Sequence, residues 1–256
     1  MGHVLSFRVD ARDYLNAAEV ITRWASSRLS KAVFVASVNN VMAARDSSYF
    51  RELSSKADMV TPDGMPLVWA LRLLGMPQAT RVYGPDLTVH LLEKAQTLGL
   101  TVGFYGSSRS TLTRLTEEVK KRWPRLQIVY STSPPYRPLS PEEAQSVEEE
   151  IRATAPHILF VGLGCPKQEE WIIAHRGRLP CVMLGVGAAF DFIAGTKPQA
   201  PRWMMPLGLE WLFRLCTEPR RLWRRYLLQN PRFVVLFAGQ LIRHHFNRLR
   251  SRPSHP

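Results

Sequence analysis

Residues 57–75 read A-D-M-V-T-P-D-G-M-P-L-V-W-A-L-R-L-L-G. A short apolar run is broken by Pro62, and Asp63-Gly64 then supplies a turn, because glycine accepts positive φ and aspartate hydrogen-bonds its own backbone. Pro66 suits the first turn of a helix, where its missing N–H removes no bond. This pattern predicts a strand, a turn and a buried helix. Asp63 is the last polar side chain before that helix, where it either caps the helix or holds a carboxylate in place for chemistry.

The same alternation of apolar run, turn and helix continues through most of the chain. Apolar runs typical of strands occupy residues 4–9, 31–37, 58–60, 100–105, 126–130, 157–161 and 180–184. Helical patterns follow at residues 13–27, 41–54, 66–75, 85–98, 111–123, 141–154, 167–174 and 188–192. We therefore predict an α/β fold with a Rossmann-like, mostly parallel sheet flanked by helices over residues 1–196. A C-terminal helical appendage is expected over residues 197–256.

The net charge of +13 on 256 residues is concentrated in the tail. No acidic residue follows Glu218, whereas nine arginines do, which leaves about +4 (13 − 9) for the first 218 residues. The three cysteines are scattered, which argues against a disulfide framework or a zinc site and fits a reducing compartment. The sequence shows neither a secretory signal nor an apolar run of membrane-spanning length. We therefore expect a cytoplasmic protein.

Polar groups and glycine turns collect where the predicted strands end, which is where open parallel sheets bind ligands. They are Ser37 and Asn39, Asp63, Gly106 with Ser107 and Ser108, Gly162 with Gly164 and Gln168, and Gly187 with Asp191. Glycine turns that lead into helices present free N–H groups that suit a diphosphate. The sequence contains no G-x-G-x-x-G, no P-loop motif and no divalent-metal cluster. It predicts a metal-free, nucleotide-sized cleft with one prominent carboxylate.

Seven motifs in order resemble the WecG/TagA/CpsF glycosyltransferases over nearly the whole chain. They are S-V-N-N (37–40), T-P-D-G (61–64), R-V-Y-G-P-D (81–86), G-F-Y-G (103–106), G-L-G-C-P-K-Q-E (162–169), G-V-G-A-A-F-D-F-I-A-G (185–195) and G-L-E-W-L-F-R-L-C-T-E-P-R-R-L-W-R-R-Y (208–226). The resemblance implies transfer of a sugar from a UDP-sugar to a polyprenyl-diphosphate-linked acceptor sugar. It implies inversion at the anomeric carbon without a metal or cofactor, and a product that feeds surface polysaccharide assembly.

The resemblance also assigns roles to single positions. It makes Asp63 the general base and places the Ser37 hydroxyl close to the reacting centre. The substrate-binding positions expected in the core are Asn39, Arg81, Gly106, Gln168 and Asp191. In two places the chain departs from the family pattern. D-G-M-P (63–66) replaces the commoner D-G-x-G, which bears on the sugar that fits, and K-P-Q-A-P (197–201) replaces R-A-P at the hinge before the appendage.

The chemistry of an inverting transfer agrees with these residue types. A base must take the proton of the acceptor hydroxyl as it attacks the anomeric carbon, and Asp63 fits that role. The departing UDP needs positive charge, which arginines and backbone N–H groups supply where no metal does. Arg81 fits this second role, although in isolation it would be interpreted as a solvated surface arginine. The alternative from another class is a non-catalytic protein that binds a nucleotide-sugar or a lipid diphosphate.

The appendage interleaves arginines with aromatic residues and then carries a ten-residue apolar run, 233–242. Nucleic acid is not an expected partner, because the sequence contains no recognised DNA- or RNA-binding motif, and a solvated helical face would be less apolar. Basic amphipathic helices with aromatic anchors bind anionic membrane surfaces. We therefore predict a peripheral protein on the inner face of the cytoplasmic membrane. The resemblance adds that Arg214, Arg221 or Arg224 reaches the diphosphate. Members of the family form oligomers, so a homo-oligomer is possible, but the sequence does not identify the oligomeric state.

Overall fold

The computed structural model describes residues 2–250, and the side chains only as far as residue 247. Met1 and residues 251–256, which include Arg252 of the basic tail, lie outside the described part. Within it the strands are β1 (Gly2–Val4), β2 (Phe7–Val9), β3 (Lys31–Ala36), β4 (Met59–Pro62), β5 (Val102–Gly106), β6 (Ile128–Thr132), β7 (Ile158–Gly162) and β8 (Val182–Gly185).

The first two strands form an antiparallel hairpin that is separate from the main sheet. Leu5 and Ser6 both adopt positive φ, 49° and 72°, and reverse the chain in a two-residue loop. The single strand predicted over residues 4–9 is therefore wrong. Val4 and Phe7 are buried in the same hydrophobic layer, so the hairpin closes one end of the core.

The other six strands form a sheet in the order β4-β3-β8-β7-β5-β6, and every pairing in it is parallel. The register sets Ala36 opposite Pro62 and Val161 opposite Gly185, so the carboxyl ends of neighbouring strands reach the same edge. The predicted fold class is confirmed. Each of these strands begins and ends within two residues of its predicted limits.

Helices follow the strands in the order that the alternation predicts. They are α1 (Tyr14–Ser26), α2 (Val38–Asp46), α3 (Ser48–Ser55), α4 (Met65–Leu73), α5 (Gly84–Leu98), α6 (Arg109–Arg122), α7 (Pro141–Thr154), α8 (Lys167–His175) and α9 (Ala189–Ile193). The single helix predicted over residues 41–54 is wrong, because Ser47 adopts an extended conformation between α2 and α3. The Ser47 hydroxyl accepts a hydrogen bond from the Phe50 N–H (3.1 Å), which caps α3.

Hydrophobic layers cover both faces of the sheet, because side chains alternate along each buried strand. Along β7, Leu159 and Val161 pack in the layer that includes α2, α3, α4 and α8. Phe160 points into the opposite layer with α1, α5, α6 and α9, where its ring stacks on Phe104 at 5.6 Å between centroids. The strand ends are therefore held by a packed core on both sides.

Between residues 202 and 250 the chain is mainly helical, as predicted. It forms a 3₁₀ turn (Arg202–Met204), α10 (Glu210–Thr217), α11 (Pro219–Trp223), a π-helical turn (Arg224–Gln229) and α12 (Asn230–Arg250). Phe233 and Phe237 of α12 are buried in the hydrophobic layer that contains α2, so the appendage packs on the core. Among residues 2–250, none of the helices combines the length and the apolarity needed to cross a bilayer. A domain boundary at residue 197 stays a prediction.

Candidate active site

Asp63 directly follows β4 and lies at the edge where the parallel strands end. Its N–H donates to the Ala36 carbonyl of β3 (2.8 Å), which extends the strand pairing by one residue. Its carboxylate Oδ1 accepts a hydrogen bond from the Gly84 N–H at the first residue of α5 (2.7 Å). The N-cap of α4 is Gly64 rather than Asp63. The capping interpretation is therefore wrong, and the carboxylate is held by the N-terminus of α5.

The surroundings of Asp63 make its carboxylate unusually basic. Burial raises the pKa of Asp63 to about 6, against the positive charge of Arg81, which lowers it. The negative charge of Glu210 raises the pKa as well, whereas the hydrogen bond from Gly84 lowers it. Such a carboxylate is mostly ionised at neutral pH, yet it holds a proton more strongly than an exposed aspartate. These are the properties of a general base.

Arg81 lies beside Asp63 but directs its hydrogen bonds elsewhere. Its Nε donates to the backbone carbonyl of Asp63, and its Nη2 donates to Glu210 Oε2 of α10 (2.5 Å). Its Cζ lies 4.1 Å from the centroid of the Tyr83 ring, and its side chain is only 14% exposed. The interpretation as a solvated surface arginine is therefore wrong. Arg81 connects the sheet edge to the appendage.

Ser37 follows β3, the strand next to β4, and is the N-cap of α2. Its Oγ donates to Asn40 Oδ1 (3.2 Å) and accepts a hydrogen bond from Arg225 Nη2 (3.1 Å). Arg225 belongs to the π-helical turn of the appendage, and burial lowers the pKa of its guanidinium. Asn39 lines the same pocket as Asp63. The core and the appendage therefore meet at Ser37.

A buried carboxylate, Glu169, connects the loop after β3 to the loop after β7. Its Oε1 accepts hydrogen bonds from Asn40 Nδ2 (2.8 Å) and from Gln168 Nε2 (3.1 Å). Gln168 Oε1 accepts in turn from the Gly164 N–H (3.2 Å). Burial raises the pKa of Glu169 to about 7, although the hydrogen bonds from Gln168 and Asn40 lower it. Glu169 thus orients Gln168 directly and Ser37 through Asn40.

A cleft of about 430 Å³ extends from Asp63 across the ends of β8 and β7 to the loop after β5. Gly106 does not supply a side chain to it, but its φ is 118°, and a Cβ there would lie 2.7 Å from the Gly162 backbone. Only glycine fits that approach, which brings Ser107 and Ser108 to the cleft wall. Gln168 and Asp191 also line the cleft, as the resemblance implies.

Positive charge enters this cleft from the appendage. Arg214, Arg221 and Arg225 line it together with Lys197. Arg221 is paired with Glu218 (2.7 Å), and Lys197 lies between Glu218 (3.2 Å) and Asp191 (3.4 Å). The Arg214 side chain is 18% exposed and its Nη1 lies 4.0 Å from Glu210. The appendage therefore brings three guanidinium groups, those of Arg214, Arg221 and Arg225, to the cleft.

Arg224 lies elsewhere, although the resemblance assigned it to the diphosphate. It is exposed, and its Cζ lies 5.3 Å from the centroid of the Trp223 ring. Arg225, the next residue, lines the cleft in its place. The signal that could have identified it is spacing, because Arg221 and Arg225 are four residues apart and share a helix face. Arg224 as a substrate-binding residue stays a prediction that this geometry does not favour.

Sequence reasoning also gave no role to Glu169, Glu210 or Lys197. Glu169 and Glu210 stand inside motifs that carried the resemblance, and their place in those motifs was the only available signal. Within the described chain, His, Cys, Asp and Glu side chains form no cluster of three or more that could hold a metal ion. The charges that face the cleft come from the side chains described above.

Comparison with known proteins leads to the same family that the sequence motifs resemble. The chain is 33% identical over 210 residues to an N-acetylglucosaminyldiphosphoundecaprenol N-acetyl-beta-D-mannosaminyltransferase of Bacillus spizizenii strain W23, covering 80% of this chain and 79% of the relative. It is 31% identical over 195 residues to the protein of the same description from Bacillus subtilis strain 168, covering 75% and 73%. The family model described as Glycosyl transferase WecG/TagA/CpsF family matches residues 2–247, so the chain belongs to this family of glycosyltransferases.

Proposed function

We propose that this glycosyltransferase moves a sugar from a UDP-sugar to a sugar linked to a polyprenyl diphosphate, with inversion and without a metal. The observation that carries the proposal is the position of Asp63, a carboxylate of raised pKa held between a large cleft and the arginines of the appendage. Because both relatives are described as transferring N-acetylmannosamine to N-acetylglucosaminyldiphosphoundecaprenol, we propose substrates of that kind for this chain.

The donor fits the larger cleft. The loops after β5, β7 and β8 present backbone N–H groups and the hydroxyls of Ser107 and Ser108 to a diphosphate. Arg214 and Arg225 lie between this region and Asp63, since both line the cleft and the Asp63 pocket. They would stabilise the negative charge that develops on UDP as it departs.

The acceptor fits the Asp63 side. As the acceptor oxygen bonds to the anomeric carbon, its proton passes to the Asp63 carboxylate. The bond from the anomeric carbon to the UDP oxygen breaks, and UDP leaves with the bonding electron pair. One displacement on the face opposite UDP inverts the anomeric carbon. The hydroxyl of Ser37, held by Asn40 and Arg225, would position the reacting sugar.

The appendage supports a peripheral location on the cytoplasmic face of the membrane. Its last helix, α12, exposes apolar side chains next to basic ones, among them Val235, Ile242 and Phe246 beside Arg243. Such a surface binds anionic bilayers through buried apolar area and charge together. This would bring the cleft to a lipid-linked acceptor. A homo-oligomer also remains part of the proposal, and light scattering in detergent would test it.

The deciding experiment measures UDP release from a panel of UDP-sugars, with and without a polyprenyl-diphosphate sugar, in detergent with EDTA. We expect acceptor-dependent release by the wild type and a loss of about 10²–10⁴-fold in Asp63→Asn, which cannot take the proton. Asp13→Asn is the matched control, because Asp13 caps α1 and lines neither the cleft nor the Asp63 pocket, and asparagine caps equally well.

Equal release by wild type and Asp63→Asn would remove Asp63 from the role of base. Saturable donor binding without release from any donor would instead support the alternative, a non-catalytic protein that binds a nucleotide-sugar or a lipid diphosphate. Release that needs a divalent metal would contradict the metal-free part of the proposal.

A further inference from the structure

An apolar groove of about 460 Å³ lies between α4 and the appendage, on the opposite side of the Asp63 pocket from the donor cleft. Trp69 and Leu73 of α4 form one wall, and Leu227, Phe233, Val234 and Phe237 of the appendage form the other. None of the described residues that line it carries a charge. Four of these side chains are 42–63% exposed, so the groove is open along its length.

The groove borders the pocket that holds Asp63 at its inner end. The two cavities share Val38, Pro66, Gly208, Trp211, Tyr226 and Asn230 as lining residues. Gly208 has a φ of 70°, and a Cβ there would lie 2.5 Å from the Trp69 ring, so only glycine lets the Trp69 wall approach the appendage. The region where the groove borders the Asp63 pocket is therefore formed by close packing between α4 and the appendage.

We propose that this groove binds the first isoprene units of the acceptor lipid, an inference that rests on the proposed function. An acceptor whose hydroxyl reaches Asp63 carries a diphosphate and then an uncharged branched hydrocarbon chain. Arg214 and Arg225 line the Asp63 pocket as well as the donor cleft, so the charge that stabilises the departing UDP also faces an acceptor diphosphate in that pocket. The uncharged groove borders the same pocket. This order of charged pocket and apolar groove matches the order of groups in the acceptor. It does not suit a nucleotide or a charged peptide.

The groove is distinct from the surface of α12 that would face a membrane. Val234 lines the groove, whereas its neighbour Val235 is 72% exposed and is not among the groove residues. Neighbouring positions on a helix point about 100° apart, so the same helix presents one face to the groove and another to its surroundings. Val234 and Val235 are therefore a matched pair that separates lipid binding in the groove from adsorption to the helix surface.

The test is direct binding of farnesyl diphosphate to the full chain in detergent-free buffer, followed by calorimetry, with inorganic diphosphate as the reference ligand. We expect farnesyl diphosphate to bind at least about tenfold more tightly than diphosphate, because only the former buries apolar surface. Val234→Glu should weaken the binding of farnesyl diphosphate about tenfold, and Val235→Glu should change it less than about twofold. Leu73→Glu tests the opposite wall and should weaken binding as Val234→Glu does.

The following binding results would overturn the proposal. Equal affinity for the two ligands means that the groove holds no prenyl chain, and equal loss in the two valine variants means adsorption along α12. Dimerisation that Val234→Glu abolishes, with farnesyl binding unchanged, assigns the groove to a second copy of the chain. Transfer assays with farnesyl- and methyl-diphosphate-linked acceptor sugars separate this inference from the proposed reaction. Prenyl binding without any transfer would overturn only the proposed reaction. Equal KM values for the two acceptors would overturn the proposal that the groove binds the prenyl chain.

Discussion

The two walls of the cleft are built in different ways. The core wall carries Asp63 and Ser37 directly after strands and Gln168 in the first turn of α8, and buried or backbone hydrogen bonds hold each of them. The appendage wall carries Glu210, Arg214 and Arg225 on short helical segments. It meets the polar groups of the core wall through side-chain contacts such as Arg81–Glu210 and Ser37–Arg225.

This difference shows where precision comes from in each wall. Backbone contacts in a packed sheet fix the base and its neighbours before any ligand binds. Contacts between long side chains fix the appendage arginines only while the appendage is docked, because such side chains lose rotamer freedom when they pair. Apart from Asp63, the base itself, we therefore expect changes in the core wall to affect stability first, and changes in the appendage wall to affect activity first.

The largest effect is expected for Glu169→Ala in the core wall. The substitution leaves the buried amides of Asn40 and Gln168 without their acceptor, which should lower the free energy of unfolding by about 3 kcal/mol. Urea unfolding at pH 5 measures the loss. Glu169→Gln keeps an acceptor oxygen in place and should lose less. If the alanine variant is as stable as the wild type, the two loops are held by other contacts.

Glu169 also gives the stability a pH dependence with a definite sign. Its pKa is raised to about 7 in the folded protein, so the folded state holds a proton that the unfolded state has released. The stabilisation is complete below the ordinary glutamate pKa and is lost as the pH rises through 7. It should amount to about 3 kcal/mol at most between pH 4.5 and pH 8. Glu169→Gln lacks a titrating group, so its stability relative to the wild type should increase with pH over that interval.

The second effect tests the appendage wall through two adjacent arginines. Arg225→Gln removes a cation that touches Ser37 and lines both cavities, and we expect kcat/KM to fall about 100-fold. Arg224→Gln removes the same charge from an exposed position over Trp223 and should cost less than about threefold. Steady-state kinetics at one ionic strength measures both variants, and thermal unfolding checks that both are folded. A larger loss of kcat/KM in Arg224→Gln than in Arg225→Gln would support the substrate-binding role that the resemblance gave to Arg224.

The same contrast between the walls explains what the sequence could predict. Strand, turn and helix patterns are local, and parallel strands end at one edge, so the pattern was enough to bring Asp63, Ser37 and Gln168 together. The hairpin at Leu5–Ser6 and the break at Ser47 were missed because ordinary residues adopt turn or extended conformations there without glycine or proline.

The appendage wall was harder to predict, because its residues reach the cleft through tertiary packing. The run R-R-L-W-R-R (220–225) offers several arginines, and their directions depend on the helix that carries them. Arg225 lies four residues from Arg221, but that spacing selects Arg225 over Arg224 only once Arg221 is known to line the cleft. Glu210 and Arg81 are 129 residues apart, and no local pattern pairs them.

The smallest effect connects the two walls through the pKa of Asp63. A base works only when it is deprotonated, so kcat/KM should rise with pH through the folded pKa of about 6 and then level off. Glu210→Gln removes a negative charge that raises this pKa and frees Arg81, whose positive charge lowers it. Both changes lower the pKa of Asp63. The bend in the pH profile should therefore move to lower pH, by less than about one unit.

The control for this shift is Glu117→Gln, which removes the same charge from an exposed position on α6. Screening by salt should leave its bend where the wild type has it. A bend that stays near pH 6 in Glu210→Gln would mean that the charge of the appendage does not reach the base. A bend that moves to higher pH would mean that Glu210 mainly keeps the appendage docked, because undocking takes Arg214 and Arg225 away from the carboxylate as well. In that case Arg225→Gln should also move the bend to higher pH, so the pH profile and the loss of activity in Arg225→Gln would have the same cause.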